Sequence, residues 1–388
     1  MLPANFTLLQ VIPELETGGA EQTTLDVAAA VTAAGGRALV ASRGGRMAER
    51  LTAVGGELIA LPVQSKNPAV AALNILRLQR VIRDRNVSLV HARSRAPAFS
   101  ALVAAQRTGT PFVGTYHGVY NAPKGRRGAL KRWYNAVMTR GDLVIANSEF
   151  TRAHVLAAHG VSPERVIAIP RGVDLKRFDP DAVSPERVSA VRRAWSLAPD
   201  ERRPVFLLAG RLTRWKGQAF AVQAFAAARR AGLDALLILA GDAQGRTEYA
   251  AEVARFAAPL QGAARVVGHC ADMPAAYLAA DVALAPSLEP EAFGRTAVEP
   301  QTMGRPVLAA DHGGAAETVE DGVTGRLVTP GDMQAWAAAL AEAAAWPPER
   351  RAAFGTAGRE RAQALYSVER MTADTLAAYA SVLEARRP

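Results

Sequence analysis

Glu291 and Glu299 stand with seven residues between them in the stretch PSLEPEAFGRTAVEPQTMGR, residues 286–305. On one continuous helix that spacing would leave the carboxylates about 80° apart in azimuth and about 12 Å apart in height, too far to grip one small ligand. Pro290 and Gly294 instead argue for a loop. Glu291 then sits on the loop, and Glu299 about one turn into a helix beginning near Arg295. The backbone N–H groups of Phe293, Gly294, Arg295 and Thr296 become the unpaired donors of a helix N-terminus, which favours an anion such as a phosphate. Two carboxylates around an anion site suit a ligand with phosphate in the middle and hydroxyls at both ends, the layout of a nucleoside-diphosphate sugar.

Two cations provide a second constellation. Arg211 and Lys216 flank a tight loop, GRLTRWKG, after the apolar run Val205 to Ala209 and before a helix over 218–230. Cations at a strand's carboxyl end can neutralise a diphosphate. A leaving nucleoside diphosphate gains charge as its bond to the sugar breaks, so fixed cations bind that state better than the ground state. Arg211 can bind bidentately, whereas Lys216 acts as a point charge.

The first half of the chain offers three smaller groups. Gly18-Gly19 lies between an apolar run, Phe6 to Ile12, and a helix from about Ala20, an arrangement that puts N–H groups beside an anion. His117 follows an apolar strand and precedes a glycine. Arg93 and Arg95, in the run His91-Ala-Arg-Ser-Arg, face either an anionic acceptor or solvent at a helix start. Neither GxGxxG nor a Walker A pattern occurs.

These residues need elements to carry them. Short Val/Leu/Ile runs near 38–42, 57–60, 88–91, 111–115 and 142–146 alternate with helical stretches, as do runs at 205–209, 236–240, 265–267, 282–285 and 307–310. Such alternation predicts α/β architecture with parallel sheets, and ligands beyond the carboxyl ends of the strands. A stretch punctuated by Pro and Gly, IPRGVDLKRFDP at 169–180, breaks both periods and marks a boundary. At 388 residues the chain suits two domains. From Asp332 onward it reads as helical.

Composition narrows the setting. No run approaches the roughly 18 apolar residues of a membrane span. No signal peptide is expected from MLPANFTLLQVIPELE. The single cysteine, Cys270, excludes an internal disulfide, fits a cytoplasmic protein and reads as a small apolar residue. Residues 1–172 hold 21 Lys+Arg against 10 Asp+Glu, or +11; the remainder holds 46 − 21 = 25 against 36 − 10 = 26, or −1. The basic excess therefore lies entirely in the first half and suggests an anionic surface or acceptor. Its densest stretch is KGRRGALKRWYNAVMTR, residues 124–140. There Lys124, Arg126, Arg127, Lys131 and Arg132 precede Trp133 and Tyr134. Basic residues with interfacial aromatics suit a helix lying on an anionic membrane. Nucleic acid is disfavoured, because no recognised binding motif accompanies the charge. Asp179-Pro-Asp181 is formally a D-x-D, but it sits in the connector without an adjacent apolar strand, so no metal is expected there.

EAFGRTAVE, then PQTMGRPVLA, then GGAAETVEDGVTG at 313–325, together with the GRLTRWKG loop, resemble glycosyltransferase family 4. The resemblance covers nearly the whole chain. It implies a GT-B fold: two Rossmann-like domains with parallel sheets facing a central cleft, and a C-terminal helix crossing back to the first domain. The implied boundaries are 1–172, 173–366 and 367–388. It implies a retaining enzyme that moves a hexose from a UDP- or GDP-linked sugar to a hydroxyl, with lipopolysaccharide core the favoured acceptor class. No metal or other cofactor is implied, because the nucleotide sugar is a co-substrate. Arg211 and Lys216 would hold the diphosphate, Glu291 the sugar hydroxyls, Phe293 to Thr296 the sugar and phosphate through their amides, and Glu299 the ribose. Val267 to Cys270 would line the base pocket, with His269 packing rather than catalysing. Gly18 and Gly19 would approach the donor phosphate, and His117 a sugar hydroxyl. Gly313, Gly314 and Asp321-Gly322 are read as shaping turns. The implied partners are a glycan or glycolipid acceptor and the inner face of the cytoplasmic membrane. The rivals are a nucleotide-sugar epimerase or phosphorylase, and a non-catalytic nucleotide-sugar-binding scaffold; the joint presence of Glu291 and His117 disfavours the scaffold.

Overall fold

The computed structural model describes residues 2–16, 18–119 and 126–386. Contacts divide the chain into two compact units, residues 1–172 together with 368–388, and residues 173–367.

The first unit is built on seven parallel strands: β1 Thr7–Val11, β2 Arg37–Ser42, β3 Glu57–Ala60, β4 Leu89–Ala92, β5 Phe112–Tyr116, β6 Leu143–Ala146 and β7 Val166–Ala168. Their order is β3-β2-β1-β4-β5-β6-β7, so the chain leaves β1 in one direction, crosses back, and fills the other side. The reversal lies between β1 and β4, where a doubly wound sheet opens its crevice. Strand side chains alternate between faces. Leu9, Val11, Leu39 and Ala41 join the core under the helices Pro68–Asp84 and Arg95–Thr108. Leu8, Ala38 and Val40 join the opposite core, with residues of the helices Gly19–Ala33 and Val368–Ala385. The last helix is thus part of the first unit, and its Tyr379 is fully buried there.

The second unit holds six parallel strands: β8 Val205–Ala209, β9 Leu236–Ala240, β10 Ala264–Gly268, β11 Val282–Ala285, β12 Val307–Ala310 and β13 Gly325–Val328, in the order β10-β9-β8-β11-β12-β13. Its reversal lies between β8 and β11, whose following loops carry Lys216 and Glu291. Strand β13 escapes a sequence reading. It is four residues long, begins with Gly and follows a turn, yet it pairs in register with all of β12, Val307 to Ala310 against Gly325 to Val328.

Asp179 and Asp181 both accept from Arg359, at 3.0 and 3.2 Å, which ties the connector to a later helix. No helix among the described residues is long and apolar enough to cross a membrane.

Candidate active site

In the second unit the loops after β8 and β11 run side by side, joined by Leu288 N–H donating to the Trp215 carbonyl at 2.7 Å. The first loop ends in one turn of 3-10 helix, Arg214–Lys216. The second ends at the helix Arg295–Thr302, whose N-cap is Gly294 at φ 86°. A side chain there would be strained, and a Cβ would also press on Ala315 at 3.1 Å. The first intrahelical bond is Ala297 N–H to the Gly294 carbonyl at 2.8 Å, so the amides of Arg295 and Thr296 precede it. That leaves them as donors at the positive end of the helix dipole.

Side chains converge on this end. Lys216 Nζ donates to Glu291 Oε1 at 2.7 Å and to Thr296 Oγ1 at 3.4 Å. The ammonium also lies 4.8 Å from the Trp215 ring centroid. The pair is well shielded, with 12% and 8% of the two side chains exposed. Ser287 Oγ donates to the same Glu291 oxygen. Behind it, His312 Nε2 lies 2.8 Å from the Ser287 carbonyl, and Gly314 N–H donates to the Glu291 carbonyl at 2.7 Å. Glu291 is therefore fixed through both its side chain and its backbone. Ser287 and His312 escape a sequence reading, because nothing local marks a serine that holds a residue four positions on or a histidine 25 positions away.

One turn into the helix, Glu299 accepts from Arg295 at 2.6 Å and from Tyr277 Oη at 3.1 Å. Burial, and then the Glu299 charge, hold the Tyr277 phenol well above its usual range, so it is a donor throughout ordinary pH. Arg295 thus joins the carboxylate cluster, and its Nε is buried without a hydrogen-bond partner. Phe293 is buried against Tyr366 in an edge-on contact, so its ring packs into the core. Arg211 differs from Lys216: it is exposed and makes no ion pair among the described residues.

The turn after β10 corrects one expectation. His269 is exposed and does not pack, whereas Val267 is half-buried against the core. The register between β10 and β9 shifts between Val266 and Gly268, which turns the end of the strand outward there. Cys270 is half-buried beside it.

In the first unit His117 follows β5. Both its ring nitrogens are buried without a partner. Burial, with Arg171 and then Arg93 nearby, holds the imidazole well below its usual range, so it is neutral. Gly19 lies against Arg171, whose guanidinium occupies the space a Cβ would take. Arg171 also escapes a sequence reading, being hidden in the connector. Arg93 must be corrected: it is 2% exposed rather than surface-facing, and its Nε and Nη2 both donate to Gln10 Oε1, at 2.9 and 2.6 Å. Its place just after β4 turns it inward across β1, where Gln10 waits. Arg95 donates to Asn135 Oδ1 at 2.8 Å and so braces the next helix. Beside them a buried chain runs from Tyr379 Oη to His91 Nδ1 at 2.5 Å, and from His91 Nε2 to Thr115 Oγ1 at 2.6 Å.

The basic stretch lies partly on the helix Arg126–Asn135. Trp133 is 53% exposed, Tyr134 is exposed, and Lys131 and Arg132 point to solvent. Arg140 stacks over Trp133 at 5.2 Å. Lys124 lies outside the described residues.

Two adjacent family models account for most of the chain. Residues 17–177 match Glycosyltransferase Family 4, and residues 192–361 match Glycosyl transferases group 1. The chain belongs to glycosyltransferase family 4. It is similar to the D-inositol 3-phosphate glycosyltransferase of Actinosynnema mirum, at 32% identity over 79% of this chain and 75% of that protein. A glycosyltransferase from Rickettsia africae has the same fold at TM-score 0.89 and 31% identity, covering 98% of this chain and 99% of that one. Anabaena Alr3699/HepE in complex with UDP-glucose superposes at TM-score 0.80 and 25% identity, covering 96% of this chain and 100% of that one. Two parallel sheets of seven and six strands are the GT-B fold of these transferases. The protein is a glycosyltransferase enzyme that uses this fold.

Proposed function

We propose that this glycosyltransferase moves a hexose, with retention, from a UDP- or GDP-linked sugar to a hydroxyl of a cell-envelope glycan. The observation that carries the reading is the convergence of Lys216, Glu291 and Thr296 on the amide end of the helix Arg295–Thr302. Lys216 and Glu291 neutralise each other. A bound diphosphate would draw the Lys216 ammonium toward its oxygens and free Glu291 to accept from sugar hydroxyls. Arg211, exposed and without an ion pair among the described residues, would add a bidentate contact. As the glycosidic bond breaks, charge builds on the leaving phosphate, and these cations and amides stabilise it without rearranging. Glu299, held by Arg295 and Tyr277, is assigned the ribose hydroxyls, and the turn at Val267 to Cys270 the base. His117, kept neutral, is assigned a hydrogen bond to a sugar hydroxyl in a role that moves no proton, and Gly18-Gly19 close approach to phosphate. Departure and attack take place on one face of the sugar, and the leaving diphosphate itself serves as the base for the incoming hydroxyl.

The acceptor favoured by the basic first unit is an anionic or lipid-linked glycan, lipopolysaccharide core being the first class to test. Peripheral contact with the inner face of the cytoplasmic membrane through Lys131, Arg132 and Trp133 fits their exposure. A second acceptor reading, a small phosphorylated polyol, is favoured by the relative that acts on D-inositol 3-phosphate. A thermal-shift panel of UDP-, GDP- and ADP-sugars, followed by product analysis with each acceptor, tests the proposal. Transfer that is lost in Glu291→Ala with nucleotide binding intact supports it. Release of an epimerised or free sugar without acceptor refutes it.

A further inference from the structure

The two carboxylate oxygens of Glu291, a buried residue, are unequally held. Oε1 takes both side-chain donors, Lys216 Nζ at 2.7 Å and Ser287 Oγ. Oε2 has no hydrogen-bond partner among the described residues. It is therefore the oxygen left to accept from a ligand's hydroxyl.

The two donors on Oε1 differ in permanence. Lys216 is a cation on a flexible four-carbon stem, and a bound diphosphate competes for it. Ser287 is neutral, short and 1% exposed, so it has no reach to follow a phosphate. Its backbone is also held from three sides. Leu288 N–H donates to the Trp215 carbonyl at 2.7 Å. The Pro286 carbonyl lies where a Cβ on Gly217 would stand, and Gly217 has φ 76°. Between them the Ser287 carbonyl lies 2.8 Å from His312 Nε2. A carbonyl only accepts, so Nε2 carries the proton and donates. None of these three contacts uses the Lys216 side chain. When Lys216 turns to a diphosphate, a shielded carboxylate loses its counter-charge, which is strongly disfavoured unless other donors hold it. Ser287 is such a donor, and it stays where it is.

We propose that Ser287, clamped at its carbonyl by His312, is the positioning residue for donor-sugar recognition. It keeps Glu291 Oε1 anchored while the diphosphate takes Lys216, so that Oε2 stays presented to one hydroxyl of the sugar. The inference rests on the transferase reading above, in which Glu291 meets the sugar and Lys216 the diphosphate. It adds that discrimination among hexoses depends on a side chain that touches no substrate.

Initial rates with UDP-glucose, UDP-galactose and GDP-mannose, and competition by UDP and GDP, test this in the full-length protein. Ser287→Ala should lower kcat/KM for the sugar nucleotide that turns over by about 10- to 100-fold, the loss of one hydrogen bond to a charged group. Inhibition by the matching nucleoside diphosphate should stay within about threefold, because Ser287 does not hold the diphosphate. His312→Ala should lower the same rate by about 10-fold. His312→Gln, whose amide can still donate to the Ser287 carbonyl, should recover most of that loss. Among monodeoxy analogues of the sugar, one should make Ser287→Ala cost less than about threefold, which names the hydroxyl that Oε2 meets. The thermal shift given by UDP or GDP shows which variants fold; if Ser287→Ala does not, the two His312 variants read the same split between rate and inhibition. If inhibition weakens as far as the rate falls, or every analogue suffers the full loss, the hydroxyl merely supports the loop and the proposal is overturned. If the variants turn over as the wild type does, only the positioning role falls. If the wild-type protein turns over none of the three sugar nucleotides, the transferase reading loses its donor and this inference falls with it.

Discussion

Glu291 Oε1 accepts from Lys216 Nζ at 2.7 Å although 75 positions separate the two residues in the chain. Each is therefore the other's counter-charge, and a change to one is felt by both. Glu291→Gln keeps the volume and an acceptor for Lys216. It should lower transfer by about 100-fold or more and leave nucleoside-diphosphate affinity within about threefold. Lys216→Met should weaken that affinity by about 10-fold or more. The double variant should fall short of the product of the two, because the residues are in contact. Steady-state kinetics and calorimetry of the four proteins check this.

Glu299 is gripped by Arg295 and Tyr277 rather than left to solvent. Glu299→Ala should weaken nucleoside-diphosphate binding by roughly 10- to 100-fold, the loss of hydrogen bonds to a charged group. Affinity for inorganic pyrophosphate should stay the same. Equal losses for both ligands would remove the ribose assignment.

Gly314 packs where a Cβ would overlap Phe293, beside the amide that holds the Glu291 carbonyl. Gly314→Ala should cost about 1–3 kcal/mol of stability through overpacking. Turnover should drop further than the loss of folded protein explains, because the Glu291 loop must shift. Urea titration alongside active-site-normalised rates separates the two effects.

His91 is buried and held well below its usual range, by burial first and then by Arg93 and His117. The unfolded chain therefore takes up its proton more readily than the folded one. Its contribution to stability is complete above about pH 6.5 and is lost as pH falls, by about 1.4 kcal/mol per pH unit. The melting temperature should decline between about pH 7 and 5, and His91→Gln should flatten that slope.

Much of the fold is legible in local pattern. Runs such as Val205 to Ala209 and Leu236 to Ala240 are apolar throughout because both sheet faces are covered, and their strands fall at those positions. The helix start at Arg295 is likewise readable from Pro290 and Gly294. Strand β13 is hidden, because a short edge strand opening on glycine has too few apolar residues to show a period. Candidate site residues are legible where they lie on such a loop, as Lys216 and Glu291 do. Their fixings are not: Ser287, His312, Tyr277 and Arg171 act through contacts that no sequence spacing encodes. Arg93 and His269 fail in opposite directions, one drawn inward by Gln10 and the other turned out by a shift of register.

Tyr379 comes from the last helix, yet its hydroxyl closes a buried chain through His91 to Thr115. One wall of the first unit is thus made by residues that the ribosome adds only after the whole of the second unit. The segment 173–367 has all its strands in hand earlier and can mature while the nascent chain is still growing. The half synthesised first has to wait, with the face that Tyr379 will cover left open, and is therefore the half whose assembly a premature stop would abort.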